Sequence, residues 1–382
     1  MHLTRRAFAG VGLASLLPAA VEDTARDIAE FDRARVVNNT ERYVGIKPVT
    51  VTASTSTRSA GGAHDFFSEG DYWWPDPKNS EGPYVQRDGM TNPDNFVAHR
   101  QALMGLSVQM PALTAAWVLT KKKQYAAKAA EHLRAWFIDE KTRMNPNLQY
   151  AQAIHGRTTG RGTGVIDTIH FVEVVQAIPF VAMSGALSTS ELAAIKAWFA
   201  EYGTWMTTSR NGMEERDTKN NHAMCWGMQV AAFAKLTGNQ AHMDYVRERY
   251  KTVYIPTQEG PDGSFPLELA RTKPYGYSLF NLEAMATICQ ILNLWKWETA
   301  DGRGGAKAVE YLHPFIADKS KWQKPADVMY FEQWPMRQSA LLFGGLALNK
   351  PEYIATWKKL RADSDVEEVI RNFFIRQPVL WV

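Results

Sequence analysis

The chain has 382 residues, with 43 Lys and Arg against 40 Asp and Glu and a formal net charge of +3. So nearly neutral a chain has no long-range field to gather nucleic acid or hold a membrane surface, so neither is expected as a partner, and any anion must be bound by a local set of donors. Its two cysteines, Cys225 and Cys289, lie among apolar neighbours in helical patterns. They make neither a disulfide framework nor a zinc set and are expected as buried free thiols.

At the front, Thr4-Arg5-Arg6-Ala7-Phe8 and the apolar run from Ala7 to Ala20 have the layout of a twin-arginine export signal, with small Ala19 and Ala20 suited to cleavage. The run is too short to span a bilayer. Residues 1–20 are therefore expected to be removed, leaving 21–382 in a bacterial periplasm, or secreted, without a membrane attachment. A buried N-terminal helix is the alternative for the same run. No Pro/Ser-rich linker divides the remainder, which reads as one domain.

From Asp23 to about Tyr43 the pattern predicts an amphipathic helix, and Val49 to Gly62, rich in Thr, Ser and Gly, an extended or loop stretch. Residues 64–93 carry Tyr72, Trp73, Trp74, four Pro and several Gly, which excludes regular helix and predicts a long ordered loop. Helical patterns then follow at about 95–108, 111–121, 124–138, 165–184, 189–209, 218–237, 240–253, 277–298, 305–313, 328–346, 351–359 and 364–375. No run of alternating strand residues competes with them. The fold class is all-α, about a dozen helices in antiparallel pairs. Apolar residues on more than one face of 165–184 and 277–298 suit the inner layer of a ring, and no fixed-period repeat points to an open solenoid.

Three stretches stand apart. In residues 217–239, DTKNNHAMCWGMQVAAFAKLTGN, the apolar stripe starts only after His222, so Asn220, Asn221 and His222 fall in the first turn of a helix capped by Asp217 or Thr218 and ended by Gly238. There, side chains and free backbone N–H groups can face an anion; capping asparagines and a core histidine are the plainer alternative. Residues 145–170, NPNLQYAQAIHGRTTGRGTGVIDTIH, set Gln152, Arg157, Arg161 and His170 among four glycines, which permit close backbone approach to a ligand. Loop-to-core salt bridges would explain the same arginines, and the lack of a Gly-Lys-Ser/Thr ending argues against a phosphate loop. In residues 262–281, DGSFPLELARTKPYGYSLFN, Arg271 stands six positions before Tyr277. A surface ion pair with Glu268 is the competing reading for Arg271.

Together these stretches resemble the alginate lyase superfamily of polysaccharide lyases, and GDYWWPDP (70–77) with GPYVQRDG (82–89) is similar to the family that acts on alginate and glucuronan. The resemblance implies an incomplete (α/α) toroid with a cleft across one end. It also implies β-elimination on an anionic uronate polysaccharide, with alginate and mannuronate-type linkages favoured and glucuronan as the alternative. Residue by residue, it carries over Asn221 and His222 from the family's NNH, and Arg271 and Tyr277 from its Arg and Tyr.

That chemistry needs a donor set for the substrate carboxylate, because taking the C5 proton builds a second charge on that group. Asn221, His222 and Arg271 are of the right types. Tyr277 is the candidate proton carrier, its phenol lowered by Arg271 for base duty, with Tyr275 as rival. Gln152, Arg157, Arg161 and His170 are expected at substrate subsites, and Tyr72, Trp73 and Trp74 as sugar platforms or packing. No calcium-loop or HExxH spacing occurs, so neither metal nor cofactor is expected. Two further classes stay open: a glycoside hydrolase using two of Asp167, Asp262 and Glu268, and a sugar-binding protein that needs only the aromatic loop.

Overall fold

The computed structural model describes residues 19–382 apart from Ser80, so the expected export signal lies almost wholly outside the described residues. In chain order the helices are α1 (Ala19–Glu41), α2 (Ala98–Thr120), α3 (Lys123–Phe137), α4 (Phe171–Met183), α5 (Thr189–Thr208), α6 (Arg210–Arg216), α7 (Asn221–Thr237) and α8 (Gln240–Arg249). They continue with α9 (Ile255–Gln258), α10 (Pro266–Leu269), α11 (Pro274–Leu292), α12 (Gly305–Ala317), α13 (Ser339–Ala347), α14 (Pro351–Lys359) and α15 (Glu367–Asn372).

The architecture is an incomplete (α/α) toroid, as expected. Helices α2, α4, α7, α11 and α13 pack each on the next as an inner layer, and α1, α3, α5, α8, α12 and α14 lie outside them. Inner-layer helices meet neighbours on every side, so α7 and α11 are buried almost throughout, Cys225 and Cys289 included. Helix α2 is apolar and long enough to cross a membrane, but here its apolar surface is spent on α1, α3 and α4. Between α13 and α2 the ring is closed by the segment Phe373–Trp381, whose apolar side chains are buried, and by the Phe31–Trp357 contact of α1 with α14.

Several helix limits differ from the pattern. The two helices expected at 95–108 and 111–121 are one, because Pro111 removes a single amide from a helix packed along its length. The stretch 165–184 begins as a 3-10 turn, Gly162–Thr168, before α4. The stretch 328–346 is α-helical only from Ser339, after a 3-10 turn at Phe331–Gln333. Four short strands also occur in the loops around the cleft. Strand β1 (Phe67–Glu69) pairs in parallel with β4 (Tyr150–Ala153), while β2 (Trp73–Trp74) and β3 (Val85–Gln86) form an antiparallel hairpin. Each is too short to show an alternation in sequence.

Candidate active site

Helix α7 opens on a cleft of about 310 Å³. It starts at Asn221, later than an Asp217 or Thr218 cap would give, because Asp217 ends α6 and pairs with Arg216 at 2.6 Å. Asn220 occupies the cap position with no side-chain cap bond. The first amide is closed from elsewhere: Glu268 of α10, 1% exposed, accepts from Asn221 N and Asn221 Nδ2, each at 2.8 Å. A backbone donor expected to be free for substrate is therefore already engaged. A carboxylate only accepts, so the contact also fixes which edge of the Asn221 amide is which.

His222, the next residue, has Nδ1 2.6 Å from Oε1 of the wholly buried Glu215 on α6. That partner places a proton on Nδ1, and Nε2 has no hydrogen-bond partner among the described residues, so Nε2 is the nitrogen available to a substrate. Arg271 follows α10. Its Nη2 donates to Asp88 Oδ1 at 2.7 Å, its Nη1 is 3.8 Å from Glu268 Oε2, and its guanidinium lies 4.0 Å from the centre of the Tyr277 ring. Arg271 thus pairs with acids, one of them the buried Glu268 rather than a surface partner, and also lines the cleft.

Tyr277, in the first turn of α11, donates to the Tyr72 hydroxyl at 2.9 Å. Burial pushes its phenol up to about 12, against the opposing pull of Arg271 and the Tyr72 hydrogen bond. The expected lowering by Arg271 is present but outweighed, so Tyr277 rests neutral. Tyr275, the rival, is buried and donates to Phe315 O at 3.0 Å, away from the cleft.

The glycine-rich stretch forms another wall. Gln152, at the bend of β4 with φ of 51°, accepts from Arg161 Nη2 at 2.8 Å through its side chain and donates to Asp167 at 3.3 Å. Arg161 also donates to Gln152 O at 3.2 Å and has no carboxylate within ion-pair distance among the described residues. Trp73 is placed against it, 5.8 Å from its guanidinium and 5.1 Å from that of Arg157. Arg157 is exposed, donates to Tyr84 O at 2.8 Å and does not line the cleft. Trp74 stays outside as well, under Arg87 and donating to Met90 O at 2.9 Å. His170, 2% exposed, lies beneath the cleft floor with Nδ1 3.4 Å from Ser107 Oγ. Burial, with Arg376 and Arg371 nearby, holds it well below its usual pKa and therefore neutral.

The floor comes from residues to which the sequence reading assigns no role. Asp71 joins Arg100 at 2.5 Å and also Arg371 of α15, and Arg371 and Asn372 line the cleft beside Asp88. Glu215 stands seven positions before His222, but α6 ends at Arg216 and α7 starts at Asn221, so no one helix carries both residues on a shared face, and α15 reads in sequence as an ordinary amphipathic turn.

Residues 50–322 match the family model described as alginate lyase. A crystal structure of an alginate lyase from Bacteroides ovatus superposes with a TM-score of 0.81 at 30% identity, covering 95% of this chain and 96% of that one. The chain belongs to the alginate lyase family. The alginate lyase A1-III from Sphingomonas species A1 shares the fold at 14% identity, TM-score 0.53, over 94% of each chain. A tetrasaccharide complex of alginate lyase A1-III gives the same TM-score, with 84% of this chain and 83% of that one covered. No curated protein matches the sequence. The four positions that the family resemblance singles out, Asn221, His222, Arg271 and Tyr277, all line this one cleft.

Proposed function

We propose that the protein is a polysaccharide lyase that cleaves alginate, mannuronate-type linkages included, by β-elimination. The carrying observation is the cleft itself. A histidine with a free Nε2, a neutral tyrosine hydroxyl and a guanidinium stacked on that tyrosine converge beside an asparagine whose amide is held from behind. Arg271 and Asn221 neutralise the carboxylate of the reacting uronate, which lowers the barrier to removing its C5 proton. Neutral Tyr277 donates a proton to the departing O4, and His222 Nε2 takes the C5 proton where the two lie on opposite faces of the ring, as in guluronate. In mannuronate and glucuronate they share a face, and Tyr277 must first lose its own proton. Arg161 is desolvated and has no carboxylate within ion-pair distance among the described residues, which supports binding of a neighbouring uronate carboxylate.

A glycosidase needs one carboxyl group held protonated. The two that line the cleft are both held low: burial raises Asp71 and Asp88, but Arg100 and Arg371 outweigh it for the first, and Arg271 and Thr272 for the second. Asp167 and Glu268 are buried in internal hydrogen bonds, and Asp262 is bonded to Ser264 of its own loop at 2.6 Å.

The test is incubation with polymannuronate, polyguluronate and glucuronan, following the ultraviolet absorbance of the new C=C bond conjugated to the carboxylate. Absorbance rising on an alginate block supports the reading. Reducing ends without absorbance would mean hydrolysis, absorbance on glucuronan alone would move the substrate, and binding without turnover would leave a sugar-binding protein.

A further inference from the structure

On the lyase reading above, we propose that Glu268 is a positioning residue for the carboxylate-binding half of the site. A single buried carboxylate sets the donor edge of Asn221 and tethers Arg271. Both of its oxygens are used on Asn221, Oε1 by the backbone N–H and Oε2 by Nδ2, each at 2.8 Å. Oε2 is also 3.8 Å from Arg271 Nη1. The two groups that neutralise substrate therefore share one reference point, which is placed by α10 and touches no substrate itself, since Glu268 is 1% exposed and absent from the cleft lining.

Helix capping alone does not account for it. Asn220 stands at the cap position with its side chain making no cap bond, so a local solution was available. Burying a carboxylate is costly unless it is well bonded, and burial does raise the pKa of Glu268 against the pull of Asn221, Arg271 and His222. What the carboxylate adds over a local cap is orientation. Asn221 Nδ2 has two hydrogens, and fixing one on Glu268 dictates where the second points.

Glu268→Gln keeps the volume but sets a new NH2 group against either the backbone N–H or the side-chain NH2 of Asn221. The Asn221 amide then turns over, exchanging donor for acceptor. The expected result is a loss in kcat of about 30-fold with KM held within about threefold, since the lost interaction belongs to the transition state. In an Asn221→Ala background the same substitution should cost clearly less, about threefold to tenfold, because the Asn221 part of its action is gone and only the tether to Arg271 remains. Equal losses in both backgrounds would make Glu268 a purely structural group and overturn the proposal.

A second readout needs no activity. The side-chain amide resonances of Asn221 should shift in Glu268→Gln, and unchanged resonances would also overturn the proposal. If the wild-type protein fails to produce ultraviolet-absorbing product, it is the lyase reading that fails, and the resonances still decide the positioning role. Should Glu268→Gln not fold, Glu268→Asp retains the charge, withdraws it from Nδ2 by one methylene and is read by the same two measurements.

Discussion

Tyr277 carries the sharpest consequence of the site at the scale of one residue. With its phenol pushed up to about 12, its ionised fraction is small at pH 7 and grows tenfold with each pH unit up to that value. A mannuronate bond, which needs ionised Tyr277 as base, should therefore be cut faster as pH rises, with log kcat/KM climbing at a slope near 1 from pH 6 to 9. A guluronate bond uses neutral Tyr277 as acid and His222 as base, so its rate should not share that rise with Tyr277 ionisation. Flat mannuronate profiles over that range would show that the proton leaves by another route. Tyr277→Phe should lower activity on every block by about 10³-fold or more, with circular dichroism unchanged. Glu215→Gln replaces the charged acceptor that keeps the His222 proton on Nδ1 with an amide that can donate to Nδ1 instead. It should damage guluronate cleavage by about 10²-fold and mannuronate cleavage much less, the same asymmetry expected of His222→Asn; an equal loss on both blocks would place Glu215 in structure rather than in proton transfer.

Among the elements, what sequence could reveal depended on how far away each helix cap lies. Helix α5 starts with the capping box of Ser188 and Glu191, and α7 ends on Gly238 in the left-handed region; both limits were legible because the deciding residues are local. The starts of α7, α11 and α13 were placed wrongly or loosely, since their amides are closed by Glu268, Asp327 and Glu283, buried carboxylates 47 or more positions distant. The site divides likewise. Asn221, His222, Arg271 and Tyr277 stand in motifs, and Asp71 and Asp88 lie within the quoted stretches 70–77 and 82–89 without a role assigned, while Glu215 and Arg371 reach the cleft only through the ring. These remote caps also predict a pH dependence of stability. Burial raises Glu283 from 4.5 to about 7, outweighing the hydrogen bonds from Ser339 and Ala340. The folded state then holds the proton through a window where the unfolded chain releases it. Stability should fall as pH rises from 4.5 to about 7, by up to about 3 kcal/mol for this group. Glu173 and Glu259 titrate in the same window, so the comparison must be with Glu283→Gln. Urea midpoints should show the gap between wild type and that variant narrowing as pH rises, and a constant gap would mean that Glu283 is ionised throughout.

For the whole molecule, the toroid gathers the first turns of α7 and α11 and the 3-10 turn leading into α4 around the cleft at one end. Closing the ring falls to residues 373–382, beyond the stretch that matches the family model. Glu173 Oε1 accepts from Arg376 N at 2.8 Å and Gln377 N at 2.7 Å, Gln176 and Gln290 donate to Leu380 O and Trp381 O, and Trp381 meets Phe343 of α13 at 5.5 Å. The same segment begins at the cleft floor, where Phe374 lies 6.0 Å from Phe280, a residue of the cleft wall, and follows directly on Arg371 and Asn372. One stretch of chain thus closes the ring at one place and shapes the site at another, and two substitutions separate these roles. Trp381→Ala enlarges an existing apolar cavity of about 240 Å³ between Val175, Leu192 and Ile291, away from the cleft. It should cost about 3–5 kcal/mol in denaturant unfolding while leaving kcat/KM within about twofold well below the melting temperature. Phe374→Ala should cost a similar amount and also raise KM several-fold, because the hole it leaves lies behind Phe280 and beside the α15 turn that presents Arg371. If both variants lose only stability, the segment serves closure alone and the cleft floor is held from the α2 side, by Arg100 through Asp71.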